Sequence, residues 1–128
     1  MFKYYILVGF TIILNVYAQV ALKLAANSMP SLEHDKSISV IIKNILFLMS
    51  NFWVLSSFAA AFIAAFVWIF AVAKLPLSHA YPFLAMTFVG VLIMGNLVFM
   101  EEITWAKVLG VTLIFAGIVV SAISFEFK

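Results

Sequence analysis

Four polar side chains interrupt the first apolar stretch of the chain at a fixed interval: Thr11, Asn15, Gln19 and Lys23. A spacing of four keeps them along one slowly drifting helical face. Together they offer a hydroxyl, two amides and one cation, the equipment for hydrogen-bonding a polar ligand and countering a negative charge. Such groups are costly in hydrocarbon, about 2.5–3.5 kcal/mol for a central Lys on insertion scales, so this face has to look at protein or a water-filled groove. The plainer reading is that Asn15 and Gln19 hydrogen-bond across a helix bundle while Lys23 snorkels to the interface from the helix end. No acidic residue lies inside any of the long apolar stretches. A proton-coupled exporter of cations ordinarily needs a buried carboxylate whose pKa is raised by burial, and none is offered here.

The remaining candidates are fewer. Glu101 and Glu102 precede Thr104, an arrangement that reads as a solvated turn with Thr104 capping the next helix, although Glu101 is also placed to meet a ligand. Trp68 and Tyr81 could stack on a sugar or a cation, but in a chain with 16% aromatics packing is the commoner use. His79 and His34 have no second ligand at helical spacing and there are no cysteines, so neither a metal site nor a disulfide is expected. No catalytic triad, phosphate loop or paired-carboxylate site is present, and the expectation is a chain that is not an enzyme and takes no cofactor.

The elements that must position these residues follow from composition. Of 128 residues, 67% are hydrophobic and 9% charged, with a mean hydropathy of +1.25, against about 25% charged in ordinary soluble domains. The net charge of +2 is spread along the chain, with no polybasic lipid anchor and no stripe that would suit nucleic acid. The expected fold is all-α: a single integral membrane four-transmembrane-helix bundle over residues 1–128, with spans at about 4–24, 52–73, 78–99 and 105–125. A short interfacial helix at about 38–50 precedes the second span, because that apolar run is too short to cross and is broken by Lys43 and Asn44. Residues 26–37, with Pro30, Glu33, His34, Asp35 and Lys36, read as a solvated loop. A signal peptide is the rival account of the first stretch, since Lys3 and Val16-Tyr17-Ala18 before Gln19 imitate a cleavage site.

The second span is rich in alanine (Ala59, Ala60, Ala61, Ala64, Ala65 and Ala71), which suits close packing in the middle of a bundle. The third carries Pro82 near its start and Gly90 mid-membrane, the latter a candidate flexion point. Gly110 and Gly117 share one face of the fourth span and suit helix packing. Lysines are nearly balanced, Lys3, Lys74 and Lys128 against Lys23, Lys36, Lys43 and Lys107, so the positive-inside rule sets no firm orientation and an antiparallel dimer is physically allowed.

Four passages resemble the drug/metabolite transporter superfamily and, within it, the four-helix small multidrug resistance-like proteins. They are Ala18-Gln19-Val20-Ala21-Leu22-Lys23-Leu24-Ala25, Leu75-Pro76-Leu77-Ser78-His79-Ala80-Tyr81-Pro82, Met100-Glu101-Glu102-Ile103-Thr104, and the segment from Gly110 to Ile118. The drug-exporting branch carries a Glu eight residues before the span-one Lys; here that position is Asn15. The chain is more similar to the aminoarabinose-phospho-undecaprenol flippase subunits, through Ala18, Gln19, Lys23, Ala80, Tyr81 and Pro82. Met100 and Glu102 depart from the Gly-Glu-basic turn common in the superfamily, while Glu101 fits its acid position.

That resemblance implies a flippase for a polyprenyl (undecaprenyl)-phosphate-linked sugar or aminosugar in the bacterial inner membrane, serving envelope glycan or lipid A modification. It also implies a homodimer, or a heterodimer with a similar four-helix chain. Lys23 would attract the phosphate, Asn15 and Gln19 would hydrogen-bond the sugar, and Glu101 would meet an amino group. A small multidrug or polyamine exporter, and a non-transporting assembly subunit that packs against a larger partner, are the alternatives that the residues leave open.

Overall fold

The computed structural model describes residues 2–29 and 37–126. The expected loop residues Glu33, His34, Asp35 and Lys36, and Lys128, lie outside them. Six helices follow in order: α1 (Phe2–Asn27), α2 (Ile38–Ser50), α3 (Phe52–Val72), α4 (Leu77–Leu84), α5 (Met86–Phe99) and α6 (Trp105–Glu126). Four stretches are long and apolar enough to cross a membrane: Phe2–Asn27, Phe52–Val72, Leu77–Phe99 (α4 and α5 together) and Trp105–Ser124. At 1.5 Å per residue, about 20 residues cover the roughly 30 Å hydrocarbon core. The chain is a multi-pass, all-α membrane protein with the architecture expected from its hydropathy, and α2, with 13 residues, is the shorter apolar helix.

The packing centre is the antiparallel pair α1 and α3, whose contact is the most extensive in the molecule. Small residues recur along both partners: Ala18, Ala21 and Ala25 on α1, and Ser57, Ala60, Ala64 and Ala71 on α3, all buried. Spacings of three, four and seven keep each set on one face, and the absence of bulk lets the backbones approach. Of the six alanines expected to place the second span centrally, Ala60, Ala64 and Ala71 are buried while Ala59, Ala61 and Ala65 are exposed. α1 runs unbroken through Val16, Tyr17, Ala18 and Gln19, with Ala18 buried. Tyr17 also crosses to α3, its Oη donating to Ser56 Oγ at 3.2 Å.

Asn51 joins the lower ends of this pair. Its Oδ1 accepts from the Trp53 backbone N–H at 2.9 Å, capping α3, while its Nδ2 donates to Ser28 Oγ at 3.2 Å just past α1. At the opposite end, Val8, Ala71, Leu75 and Ala80 form a buried cluster against which Tyr5, Trp68 and Phe83 pack. There His79 is 5% exposed, and its Nε2 shares a 2.7 Å hydrogen bond with Tyr5 Oη.

The third span is interrupted, but not at Gly90. Pro82 lacks the N–H that would bond the Ser78 carbonyl, and three residues later the helix breaks at Ala85. Around the break the bonds tighten to the three-residue spacing, Ala85 N–H to Pro82 O at 3.1 Å and Phe88 N–H to Ala85 O at 3.0 Å. Gly90 lies inside regular helix and serves an approach: a Cβ added there would stand 2.5 Å from Val16 Cγ2 on α1.

The last span is the loosest. Among its described side chains Ile118 alone is buried, and a Cβ added at Gly110 or Gly117 would meet nothing within 4 Å. Among the described residues, then, no atom lies within 4 Å of the methyl that either glycine would gain, although Gly110 is half-buried and borders a cavity against α5.

Substituting these glycines should separate the two situations. Gly90→Ala gains about 0.5–1 kcal/mol of helix propensity but drives a methyl into Val16, whose branched side chain is stiff, at a cost of roughly 1–3 kcal/mol. Denaturant unfolding in mild detergent should show net destabilisation for Gly90→Ala and none for Gly117→Ala.

Candidate functional site

An α-helix advances 400° in four residues, so each rung of the polar ladder is rotated about 40° from the last, and Lys23 lies about 120° around from Thr11. The structure shows the consequence. Thr11 is 2% exposed and spends its hydroxyl on the Leu7 carbonyl at 3.0 Å. With Asn15 it lines an upper cavity of about 240 Å³, closed on the other side by Ala61, Ala64, Trp68, Tyr81 and Leu84. Trp68 and Tyr81 meet each other edge to face, with centroids 5.7 Å apart. Gln19 and Lys23 line a lower cavity of about 200 Å³ with Val20, Val91, Gly95, Phe99 and Glu101. The ladder thus feeds two cavities, with Asn15, Trp68 and Tyr81 in one and Gln19, Lys23 and Glu101 in the other.

The lower cavity holds a pair of opposite charges. Lys23 Nζ stands 3.6 Å from Glu101 Oε1, and the two side chains are 50% and 47% exposed. This is longer than a charge-assisted hydrogen bond of about 2.7–2.9 Å, and the exposure keeps the pair solvated and weak, about 0–1 kcal/mol.

Glu101 reaches Lys23 because of how α5 ends. Met100 takes the left-handed conformation (φ 54°, ψ 34°), the one non-glycine residue with positive φ among those described. The chain then turns back, so that the Glu101 backbone N–H bonds the Gly95 carbonyl at 3.2 Å, and Asn96 Nδ2 donates to the Glu101 carbonyl at 2.8 Å. Gly95 leaves room for the returning carboxylate, since a Cβ there would lie 3.0 Å from Glu101 Oε2. Met100 thus adopts the backbone conformation that glycine takes most readily.

Two residues flanking this turn, Asn96 on α5 and Lys107 on α6, were not singled out as site residues by sequence reasoning. Asn96 is recognisable as a polar residue in the last turn of an apolar helix. Lys107 shares with Glu101 a neighbouring cavity of about 320 Å³ that also contains Gly110. Its Nζ donates to the Glu102 carbonyl at 2.8 Å, and its backbone N–H approaches Thr104 Oγ1 at 3.4 Å, the expected cap in a loose form. A fourth cavity, about 620 Å³ and almost wholly apolar, follows the α1–α5 seam past Ile13, Val16, Val20, Gly90 and Ile93.

With this geometry in place, comparison with known proteins gives one consistent direction. The chain is 40% identical over 65 residues to a protein of Aeromonas hydrophila subsp. hydrophila named "probable 4-amino-4-deoxy-L-arabinose-phosphoundecaprenol flippase subunit ArnE". A protein of Aeromonas salmonicida with the same name is 38% identical over 65 residues. This chain is similar to aminoarabinose-phosphoundecaprenol flippase subunits. That is the likeness expected from Gln19, Lys23 and the Ala80-Tyr81-Pro82 passage. In both cases the match takes in 51% of this chain and 57% of the relative, so the chain spans a little over half the length of the relatives it matches. No family model matches, and no solved structure matches.

The turn at Met100 provides a test of the local geometry. A non-glycine residue held left-handed costs about 1–2 kcal/mol, and glycine returns part of that gain as lost entropy. Met100→Gly should therefore raise the stability of the purified protein by about 0.5–1 kcal/mol in denaturant unfolding.

Proposed function

We propose that this chain is a subunit of a flippase that moves a polyprenyl-phosphate-linked sugar or aminosugar across the bacterial inner membrane, for modification of envelope glycans or lipid A. The observation that carries the reading is the lower cavity, where Lys23, Gln19 and Glu101 converge at the end of span one beside long apolar surfaces. A lysine at the membrane boundary suits a phosphate, Gln19 suits sugar hydroxyls, and the lipid chain stays in hydrocarbon.

Asn15, eight residues before Lys23, lies about 12 Å further along the helix axis, one headgroup length deeper. Asn15, Trp68 and Tyr81 then form the next station for the sugar, an amide with two aromatic faces. The break at Ala85, three residues after Pro82, gives the third span a place to bend between inward- and outward-facing arrangements, the office expected of Pro82 and Gly90 together. The exporter alternative is disfavoured by the absence of a carboxylate among the helical residues of the upper cavity.

The working unit in this reading is a dimer, of identical chains or of this chain with a similar one. The open face at Gly110 and Gly117 supports it, because small residues on a membrane helix permit close approach of another helix. Replacing both by leucine should leave helix content unchanged and shift the purified protein to the monomer in size-exclusion chromatography with light scattering.

For transport itself, Lys23→Ala in proteoliposomes should slow movement of a fluorescent polyprenyl-phosphate sugar by roughly tenfold or more, the loss of one charge-assisted contact. Unchanged rates with normal thermal unfolding would remove Lys23 from the mechanism.

A further inference from the structure

The apolar groove of about 620 Å³ between α1 and α5 offers nothing to a headgroup. Water would fill it with roughly twenty molecules, each needing polar partners that the walls do not supply. Hydrocarbon has to fill it instead. Ile13, Tyr17 and Ile93 on its walls are 65%, 43% and 49% exposed, so the groove opens sideways toward the surrounding lipid. It follows α1 from Val20 to Gly9, about 16 Å of helix and half of the roughly 30 Å hydrocarbon core.

Two observations decide what fills it. Val20 lines both this groove and the lower cavity, so the apolar track begins where the Lys23 site ends. The step between them is short, since Lys23 and Val20 are about 4.5 Å apart along the helix axis. A glycerophospholipid interposes a glycerol and two esters between its phosphate and its chains. The groove has no donor for those esters, because the one hydroxyl on its wall, that of Tyr17, is spent on Ser56. A polyprenyl phosphate joins a single chain directly to the phosphate oxygen, and that chain can enter the groove at once.

Resting on the flippase reading, we propose that the α1–α5 groove binds the phosphate-proximal part of the polyprenyl chain, so that the protein selects its substrate by lipid chain as well as by headgroup. The chain leaves one hydrocarbon environment for another, so close packing carries the discrimination and the hydrophobic effect does not. Gly90 contributes by its missing side chain, which lets α5 close against Val16 along the track.

The experiment uses the whole chain in nanodiscs and two probes with the same sugar on the same singly charged phosphodiester, polyprenyl-phosphate glucose and phosphatidylglucose. Wild type should bind the polyprenyl lipid about tenfold more tightly. Gly9→Leu puts a side chain into the groove where an added Cβ meets nothing within 4 Å, and Ile13→Trp enlarges an exposed wall residue. Each should bring the two lipids within about twofold of one another by weakening the polyprenyl lipid alone. Leu113→Trp, at a 72% exposed position on α6, should keep the wild-type ratio. Equal binding of the two lipids by wild type would overturn the groove assignment and leave the flippase reading standing. A ratio that survives both Gly9→Leu and Ile13→Trp would also overturn it, placing the chain elsewhere on the protein. Conversion of a dimer to a monomer by either variant, read by light scattering, would overturn it by giving the groove to a second copy. Binding of neither lipid by wild type would overturn the flippase reading and the groove together. The wild-type comparison does not depend on how any variant folds.

Discussion

The close contact of α1 with α3 sets the rotation of α1 about its own axis, and every other property of the polar ladder depends on that rotation. Ala18, Ala21 and Ala25 are buried while Ile13 and Tyr17 remain exposed, so the helix has one permitted orientation. In a bilayer no hydrophobic effect drives helices together, because lipid tails are as apolar as leucine; shape alone has to do it. Small residues at spacings of three and four give that shape. With α1 fixed, Thr11 is turned into the bundle and Lys23 out of it, although both belong to one sequence pattern.

The drift of the ladder also explains why a single lysine near a membrane is tolerable here. Lys23 is four residues from the end of α1, where its ammonium reaches the opening beside Glu101 rather than the hydrocarbon centre. A lysine in place of Thr11, on the same nominal stripe, would have been buried without a partner. Periodicity of four on a helix of 3.6 residues per turn converts a stripe into a spiral, and the spiral puts apolar-tolerant groups deep and the charge at the rim.

The spans, the short α2, the small-residue faces and the ladder could all be read from the sequence, because each depends on local composition and helical period. What could not be read depends on contacts between distant residues. Gly90 and Pro82 were both eligible to flex the third span; only the proximity of Val16 shows that Gly90 serves an approach, and only the bonds around Ala85 show where the break falls. Tyr5 and His79 are 74 positions apart, and nothing in either local segment announces their hydrogen bond. Met100 is the sharpest case: a bulky residue left-handed at a helix end contradicts its own preference, and only the Gly95 carbonyl and Asn96 side chain, acting on Glu101, account for the turn. A partner for Gly110 and Gly117 likewise cannot be read, since among the described residues none comes within 4 Å of a Cβ added at either position.

The charge arithmetic of the lower cavity bears on how a headgroup would cross at all. An isolated charge at the bilayer centre is costly, about 2.5–3.5 kcal/mol on insertion scales and about 10–17 kcal/mol for an isolated helix in simulation. The upper cavity offers Asn15, Thr11 and aromatic rings, with no ion to accompany a phosphate through. The charged pair therefore sits at the rim, where Lys23 and Glu101 are half-exposed, and the cavity beyond it is lined by an amide, a hydroxyl and aromatic faces.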